Sequence, residues 1–395
     1  MESIKLLHAA DLHLRDRDLE EAEKCIDFLI ETAKEEAVDL VVIAGDIFHS
    51  QDIKMDSRAA VLAIKTVSAL ADIAPVAIIL GTSSHDGHAP EILRFARGAW
   101  PIRVASAPEQ IYLQGETFYS RQGDPELSSA PEAIISLIPQ PTKQFFQTAA
   151  GVEGSDQEIG QAMSGLFAGF GAQAAAYPGV PHILAYHGCV TGGKASNNQL
   201  MTGRDIEISR DQLAMSGAGL VLCGHLHLPQ ELPGNIFYSG SIYPIDIGEN
   251  HKHGFWIHKL SGELSSLFVE TPCKRIVRFK FDMTAGEKIT IPFEGIVGAA
   301  VRIDVTVFQD ETGQVSRETI IENLKRWGAE SIDIKVSPVP RETIRASAVL
   351  AAQTLKDEFL EMSLLRGEQI DPEILVMAEK LENLPGEELL KEVAA

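Results

Sequence analysis

Cysteine is scarce and long apolar runs are missing from this chain of 395 residues. Its four cysteines, Cys25, Cys189, Cys223 and Cys273, show no CxxC spacing. That argues against a disulfide frame or a zinc ribbon and fits a reducing cytoplasm, with the thiols expected as small buried hydrophobes. No apolar stretch reaches the roughly 18 residues that a membrane-spanning helix requires. The opening Met1-Glu2-Ser3-Ile4-Lys5 lacks the layout of a secretory signal. Basic residues are the minority, 34 against 56 acidic, giving a net charge of −22. This argues against broad, sequence-blind wrapping of nucleic acid. A DNA substrate stays open, because bound cations neutralise clustered carboxylates and a partner subunit can supply basic surface.

What is present is an ordinary globular composition, 45% hydrophobic and 23% charged. The length suits one large catalytic domain with one or two small ones. Residues 4–10 read as a buried strand. A helix follows over about 19–37, with Ala22, Ile26, Leu29 and Ala33 at helical spacing. Strands at 38–44 and 75–80 flank a second helix over about 57–72. This rhythm predicts an α/β sheet with helices on its faces. Further strands are expected at 133–137, 182–186, 219–223, 237–241 and 254–260. The Gly/Ala/Gln-rich stretch of about 150–177 is read as helix or excursion. Beyond Pro272 alternating strands at 275–282 and 299–307, a helix at 316–327 and a strand at 331–336 form a small α+β unit. Ala348, Ala352, Leu355, Phe359 and Met362 then make a narrow helical apolar seam ending at Gly367. Asp371 and Pro372 read as the cap and first residue of a second helix.

Five segments carry the chemistry: Asp11-Leu12-His13, Gly45-Asp46, His85-Asp86, Tyr186-His187-Gly188 and Gly224-His225-Leu226-His227. Each follows an apolar strand, and strand ends gather on one edge of an open α/β sheet. Taken singly each is weak, since a capping Asp beside a surface His or a Gly-Asp turn is commonplace. Together they bring aspartates and imidazoles into one crowded place, where divalent cations are the natural partner.

This ordered set resembles the calcineurin-like metallophosphoesterase superfamily. More narrowly it is similar to the nuclease subunit of the SbcCD complex and its double-strand-break repair counterparts. The opening Leu7-His8-Ala9-Ala10-Asp11-Leu12-His13-Leu14, Gly45-Asp46-Ile47-Phe48-His49-Ser50 and Tyr238-Ser239-Gly240-Ser241-Ile242 carry the narrower likeness. The resemblance implies a four-layer α/β/β/α sandwich over 1–270, a small α+β capping domain over 271–340 and C-terminal helices over 341–395 that bind an SMC-like ABC ATPase. It implies two divalent metal ions, most often manganese. One would be held by Asp11, His13, Asp46 and His227, the other by Asp46, His187 and His225, with Asp46 bridging. His85 would act as general acid or phosphate donor, oriented by Asp86. The product would be a cytoplasmic, dimeric DNA exonuclease/endonuclease of the SbcD type.

One motif departs from the family. Its usual Gly-Asn-His-Asp is replaced by Gly81-Thr82-Ser83-Ser84-His85-Asp86. Ser84 falls in the place of the metal-binding Asn, and a neutral hydroxyl is a poorer ligand. His49, Arg15 and Lys194 are candidates for contact with substrate phosphate, as are Arg17 and Arg204. The plain alternatives are a turn residue for His49 and solvated charges for the rest. His8 reads as a core histidine and His88 as a solvent-facing one. Two rivals stay open: a small-molecule phosphodiesterase or phosphatase of the same superfamily, and a catalytically weak DNA-repair scaffold.

Overall fold

A computed structural model describes residues 3–115, 117–120, 130–141, 156–196, 206–341, 349 and 351–383. The apolar runs become strands buried on both sides, and that requirement builds the layers. The first sheet holds β1 (Ile4–Ala9), β2 (Leu40–Ala44), β3 (Val76–Ile79) and β4 (Ile102–Ala105), all parallel. The antiparallel β14 (Gly254–Ser261) and β15 (Glu263–Glu270) complete its order β15-β14-β1-β2-β3-β4. The second sheet runs β12-β13-β11-β8-β7-β5-β6. Its strands are β5 (Glu109–Gln114), β6 (Thr117–Tyr119), β7 (Ala133–Ile138), β8 (His182–His187), β11 (Leu220–Gly224), β12 (Gln230–Leu232) and β13 (Ile236–Tyr238). A two-stranded ladder joins β9 (Cys189–Val190) to β10 (Glu207–Ile208).

Side chains of period two divide between cores. Leu7, Val41, Ile43 and Ile78 pack outward with Leu19, Ile26 and Leu29 of α1 (Leu19–Glu35) and Val67 and Leu70 of α2 (Arg58–Ala71). Leu6, Val42, Ala44 and Ile79 instead face Ile135, Ile183, Ala185 and Leu222 between the sheets. On the far side Leu184, Tyr186 and Val221 meet Met163 and Phe167 of α3 (Asp156–Ala174) and Leu213 of α4 (Arg210–Ala214). The result is the expected four-layer α/β/β/α sandwich. β1, α1, β2, α2 and β3 begin and end within two residues of their expected bounds. Ser57 starts α2 by accepting from Ala60 N at 3.1 Å. His8 lies in the core, its ring stacked on His258.

A three-stranded sheet, β16 (Ile276–Asp282), β17 (Ala300–Phe308) and β18 (Ser331–Val339) in that order, follows with α5 (Arg317–Arg326). By compactness the chain divides into one unit of residues 1–281, 289–305 and 316–335 and another of 282–288, 306–315 and 336–395. The second unit holds α6 (Leu355–Arg366) and α7 (Pro372–Asn383). Here the expectation is corrected. The helix begins at Leu355 because Thr354 caps it, accepting from Asp357 N at 3.1 Å, so Ala352 precedes it. Ala348 lies outside the described residues. Gly367, at φ 65°, ends the helix as expected. Lys356 pairs with Glu379 at 2.8 Å between the two helices. Leu364, Leu365, Ile374, Val376 and Met377 remain exposed.

Candidate metal centre

The parallel strands β1, β2, β3, β8 and β11 deliver all five motifs to strand ends. The sheets meet so closely there that glycine is required. A Cβ on Gly224 would lie 2.0 Å from Ala44 O, and one on Gly45, whose φ is 88°, 2.3 Å from His187 Nδ1. Six described non-glycine residues have positive φ, and four of them are Asp11, His13, Asp46 and His225. Such conformations cost on the order of 1–3 kcal/mol each and gather at functional sites. Hydrogen bonds offset that cost: Asp11 N to Gly45 O at 3.0 Å, His13 N to Asp46 O at 2.9 Å, and His225 N to Asp11 Oδ1 at 2.9 Å.

These strained turns bring the predicted ligands together in two groups. Asp11, His13 and His227 form one, and Asp46, His187 and His225 the other, with ligand atoms in each group within 4.8 Å of one another. Asp46 faces both, its Oδ2 3.7 Å from His13 Nε2 and its Oδ1 3.5 Å from His187 Nε2. His187 donates Nδ1–H to Ala44 O at 2.7 Å, which leaves Nε2 as a lone pair, buried and without a hydrogen-bond partner. The Nε2 atoms of His13 and His227 are 3.0 Å apart. Two nitrogens bound at about 2.1 Å and at right angles to one ion would be about 3 Å apart. The residues present therefore fit metal ions.

Electrostatics point the same way. Burial pushes the Asp11 carboxyl up, against the pull of His187 and His227. Burial also opposes ionisation of Asp46, yet the nearby charge of His187, then of His13 and His85, holds its carboxyl well below the usual carboxylate range. Against its own burial, His187 is raised to about 9 by Asp46. His13 is pushed down by burial and by His227. A buried cluster of this kind needs a cation to balance it.

Two important residues carry no sequence motif. Glu249 Oε1 accepts from His227 Nδ1 at 2.6 Å, the carboxylate–histidine pairing that orients a metal-ligating ring. Burial opposes Glu249 ionisation, but His227 lowers its carboxyl to about 2. Thr82 donates both its backbone N–H, at 2.6 Å, and its hydroxyl, at 2.9 Å, to Asp46 Oδ1. Ser84, expected in the Asn position, is exposed; the residue directly after Gly81 is the one that reaches Asp46. The added loop residues carry Ser84 away from the centre.

The role expected for Asp86 is also corrected. Its oxygens accept from Phe48 N at 2.9 Å and Gly81 N at 2.7 Å, so it ties two strand-end loops together. Burial and the charge of Asp46 push it up to about 7. The His85 ring is oriented instead by Nδ1–H donated to His49 O at 2.7 Å. His49, His85 and His13 form a third close group. Arg15 is largely buried, and its guanidinium meets Asp18, His49 and Ile245 O within the protein. Lys194 is exposed, its backbone N–H bonded to Gln230 Oε1 at 2.9 Å. Arg17 pairs with Asp18 at the surface and exposed His88 with Glu91. Arg204 lies outside the described residues.

Residues 4–137 match the calcineurin-like phosphoesterase family. The phosphoesterase match spans Asp11, His13, Asp46, His85 and Asp86; His187, His225 and His227 lie beyond it. It supports the superfamily and, with the two ligand groups, metal-dependent phosphoester hydrolysis. Among solved structures the chain is similar to one titled "GAP50 the anchor in the inner membrane complex of Plasmodium". The two are 11% identical with a TM-score of 0.43, over 70% of this chain and 87% of that one. No helix among the described residues is long and apolar enough to cross a membrane.

Proposed function

We propose that this protein hydrolyses phosphodiester bonds in DNA with two manganese ions, as a nuclease subunit of the SbcD type. One observation carries the reading: Asp46 faces two ligand groups at once, with His85 beside them. Asp11, His13, Asp46 and His227 would hold one ion, and Asp46, His187 and His225 the other. When bound, such ions lower the pKa of a shared water and neutralise charge on the phosphoryl oxygens. The chain's own residues do the rest. Glu249 and Ala44 fix the His227 and His187 rings, so each presents Nε2. Thr82 holds the Asp46 carboxylate in place. His85, with Nδ1 anchored on a carbonyl, presents Nε2 to the leaving oxygen and, as imidazolium, would donate a proton to it. The exposed apolar residues of α6 and α7 support docking on an SMC-like ABC ATPase, since two short helices need further burial. A homodimer in the cytoplasm is the accompanying expectation of the resemblance.

The test is cleavage of end-labelled duplex and single-stranded DNA by purified protein with manganese, alongside bis-p-nitrophenyl phosphate. DNA cleavage that falls roughly 10²–10⁴-fold in His85→Gln, with manganese binding retained, is the expected result. Turnover of the small ester without DNA cleavage would favour a small-molecule phosphodiesterase. Silence on both would favour a scaffold.

A further inference from the structure

We propose that Arg15 is a positioning residue: it fixes the His49 imidazole with its proton on Nδ1, and so holds in place the residue whose carbonyl orients His85. The inference rests on the phosphodiesterase reading above, but its structural part stands on hydrogen-bond geometry alone. Arg15 Nη1 lies 2.8 Å from His49 Nε2. A guanidinium has donors only, so His49 Nε2 must be the acceptor. A neutral imidazole with its lone pair on Nε2 carries its proton on Nδ1. That Nδ1 is buried and has no protein partner.

Arg15 is itself fixed. Its Nε meets Asp18 and its Nη2 donates to Ile245 O at 2.9 Å, while its side chain is only 17% exposed. It is thus committed to internal acceptors instead of reading a DNA backbone. The neighbouring ring carries the same tautomer. His85 donates Nδ1–H to His49 O, so its Nε2 holds the lone pair in the neutral ring. One residue, His49, is therefore held by Arg15 through its ring and orients His85 through its carbonyl.

This assignment also decides the third histidine group. His13, His49 and His85 have ligand atoms within 4.8 Å of one another, a spacing that suits a metal. With Nε2 engaged by Arg15 and Nδ1 protonated, His49 has no lone pair left to give an ion. The third group therefore lacks the three lone pairs that an ion would need.

The experiment reads the tautomer directly, by long-range ¹H–¹⁵N correlation of histidine-labelled, metal-free protein, with the His49 signals identified from their loss in His49→Asn. Wild type and Arg15→Lys should show Nδ1 protonated and Nε2 bare; Arg15→Met should shift His49 toward Nε2–H. With manganese, Arg15→Met should lose roughly tenfold or more in kcat/KM on a phosphodiester, with manganese affinity unchanged. His49→Asn removes the ring that Arg15 holds, should lose activity to a similar degree, and should make Arg15→Met silent in that background. A wild-type His49 protonated on Nε2 would overturn the proposal, as would a tautomer indifferent to Arg15→Met. An equal loss from Arg15→Met in the His49→Asn background would overturn it too, since Arg15 would then act elsewhere. If manganese-loaded wild type cleaves no phosphodiester, the proposed function fails, and the tautomer readout still decides the role of Arg15.

Discussion

Replacing Glu249 by glutamine tests the metal centre at a residue that touches no ion. Glu249 Oε1 lies 2.6 Å from His227 Nδ1, and its Oε2 accepts from Ile245 N at 2.8 Å. The side chain is nearly buried, so little water screens this pairing. The carboxylate keeps the His227 proton on Nδ1 and raises the basicity of Nε2. Glutamine preserves the shape and can still accept from Nδ1, but it removes the charge and turns its NH2 on Ile245 N–H, so that bond is lost as well. Such an outer carboxylate is worth about 10–100-fold in metal affinity, or about 1.4–2.7 kcal/mol. Calorimetric titration of manganese into metal-free protein should show that loss in the ion step to which His227 contributes. The step held by His187 and His225 should change far less. A pH series adds a sign. The folded-state value of Glu249, about 2, lies below its ordinary 4.5. Wild-type protein without metal should therefore hold its full stability advantage over Glu249→Gln above about pH 4.5, and lose it as the pH falls toward 2. Equal manganese affinities for wild type and Glu249→Gln would refute the argument, because orientation by charge would then contribute nothing.

Three further outcomes follow from contacts elsewhere in the sandwich. Thr82→Val leaves the backbone donor to Asp46 but deletes the hydroxyl, and should weaken manganese binding by about 1.5–3 kcal/mol, read by the same titration; unchanged affinity would show the hydroxyl to be idle. Gly224→Ala places a Cβ 2.0 Å from Ala44 O, and should destabilise the protein by about 3 kcal/mol or more in urea unfolding; a normal midpoint would mean the sheets separate easily there. His258 is buried between the sheets, and burial lowers it to about 3. Its unfolded form takes up a proton below about pH 6.5 while the folded form does not, so stability falls with pH at about 1.4 kcal/mol per unit from this group. His258→Phe should flatten the slope by that amount between pH 6 and 4, and superimposable slopes would remove His258 from the account.

The parts of the fold that could be read from sequence are those where one segment carries the whole signal. β1, β2, β3, β8 and β11 are continuous apolar runs because both of their faces are buried, and the ligand motifs sit at the very ends of those runs. β15 (Glu263–Glu270) was missed because its residues alternate between exposed and half-buried, which leaves no apolar period to detect. The short β4, β5 and β6 fall in a stretch without clear punctuation. The terminal seam reads as one continuous helix, because apolar spacing registers Ala352 but not the Thr354 cap that starts a new helix at Leu355, after helical Val349 and Ala351.

The residues that escaped sequence reading share a physical cause: each acts through a contact that spacing does not encode. Glu249 reaches His227 across an irregular loop, and Arg15 meets His49 from a different strand end. Asp86 was assigned to its sequence neighbour His85, yet two backbone N–H groups from other loops claim both of its oxygens. Counting back from His85 places Ser84 at the missing Asn, whereas the chain is fixed at Gly81, two residues after β3 ends at Ile79, where the Asp86 carboxylate accepts the glycine N–H. Counting forward from that fixed point selects Thr82. Alignment from the strand is physically sounder, because strand register is held by a ladder of hydrogen bonds and the loop beyond it is free to lengthen. Four of the six candidate ligands, Asp11, His13, Asp46 and His225, stand where the backbone is strained, each with positive φ, while the His187 and His227 rings are set by hydrogen bonds to Ala44 O and Glu249. A supporting residue needs only to arrive with the right charge, and sequence position constrains it little.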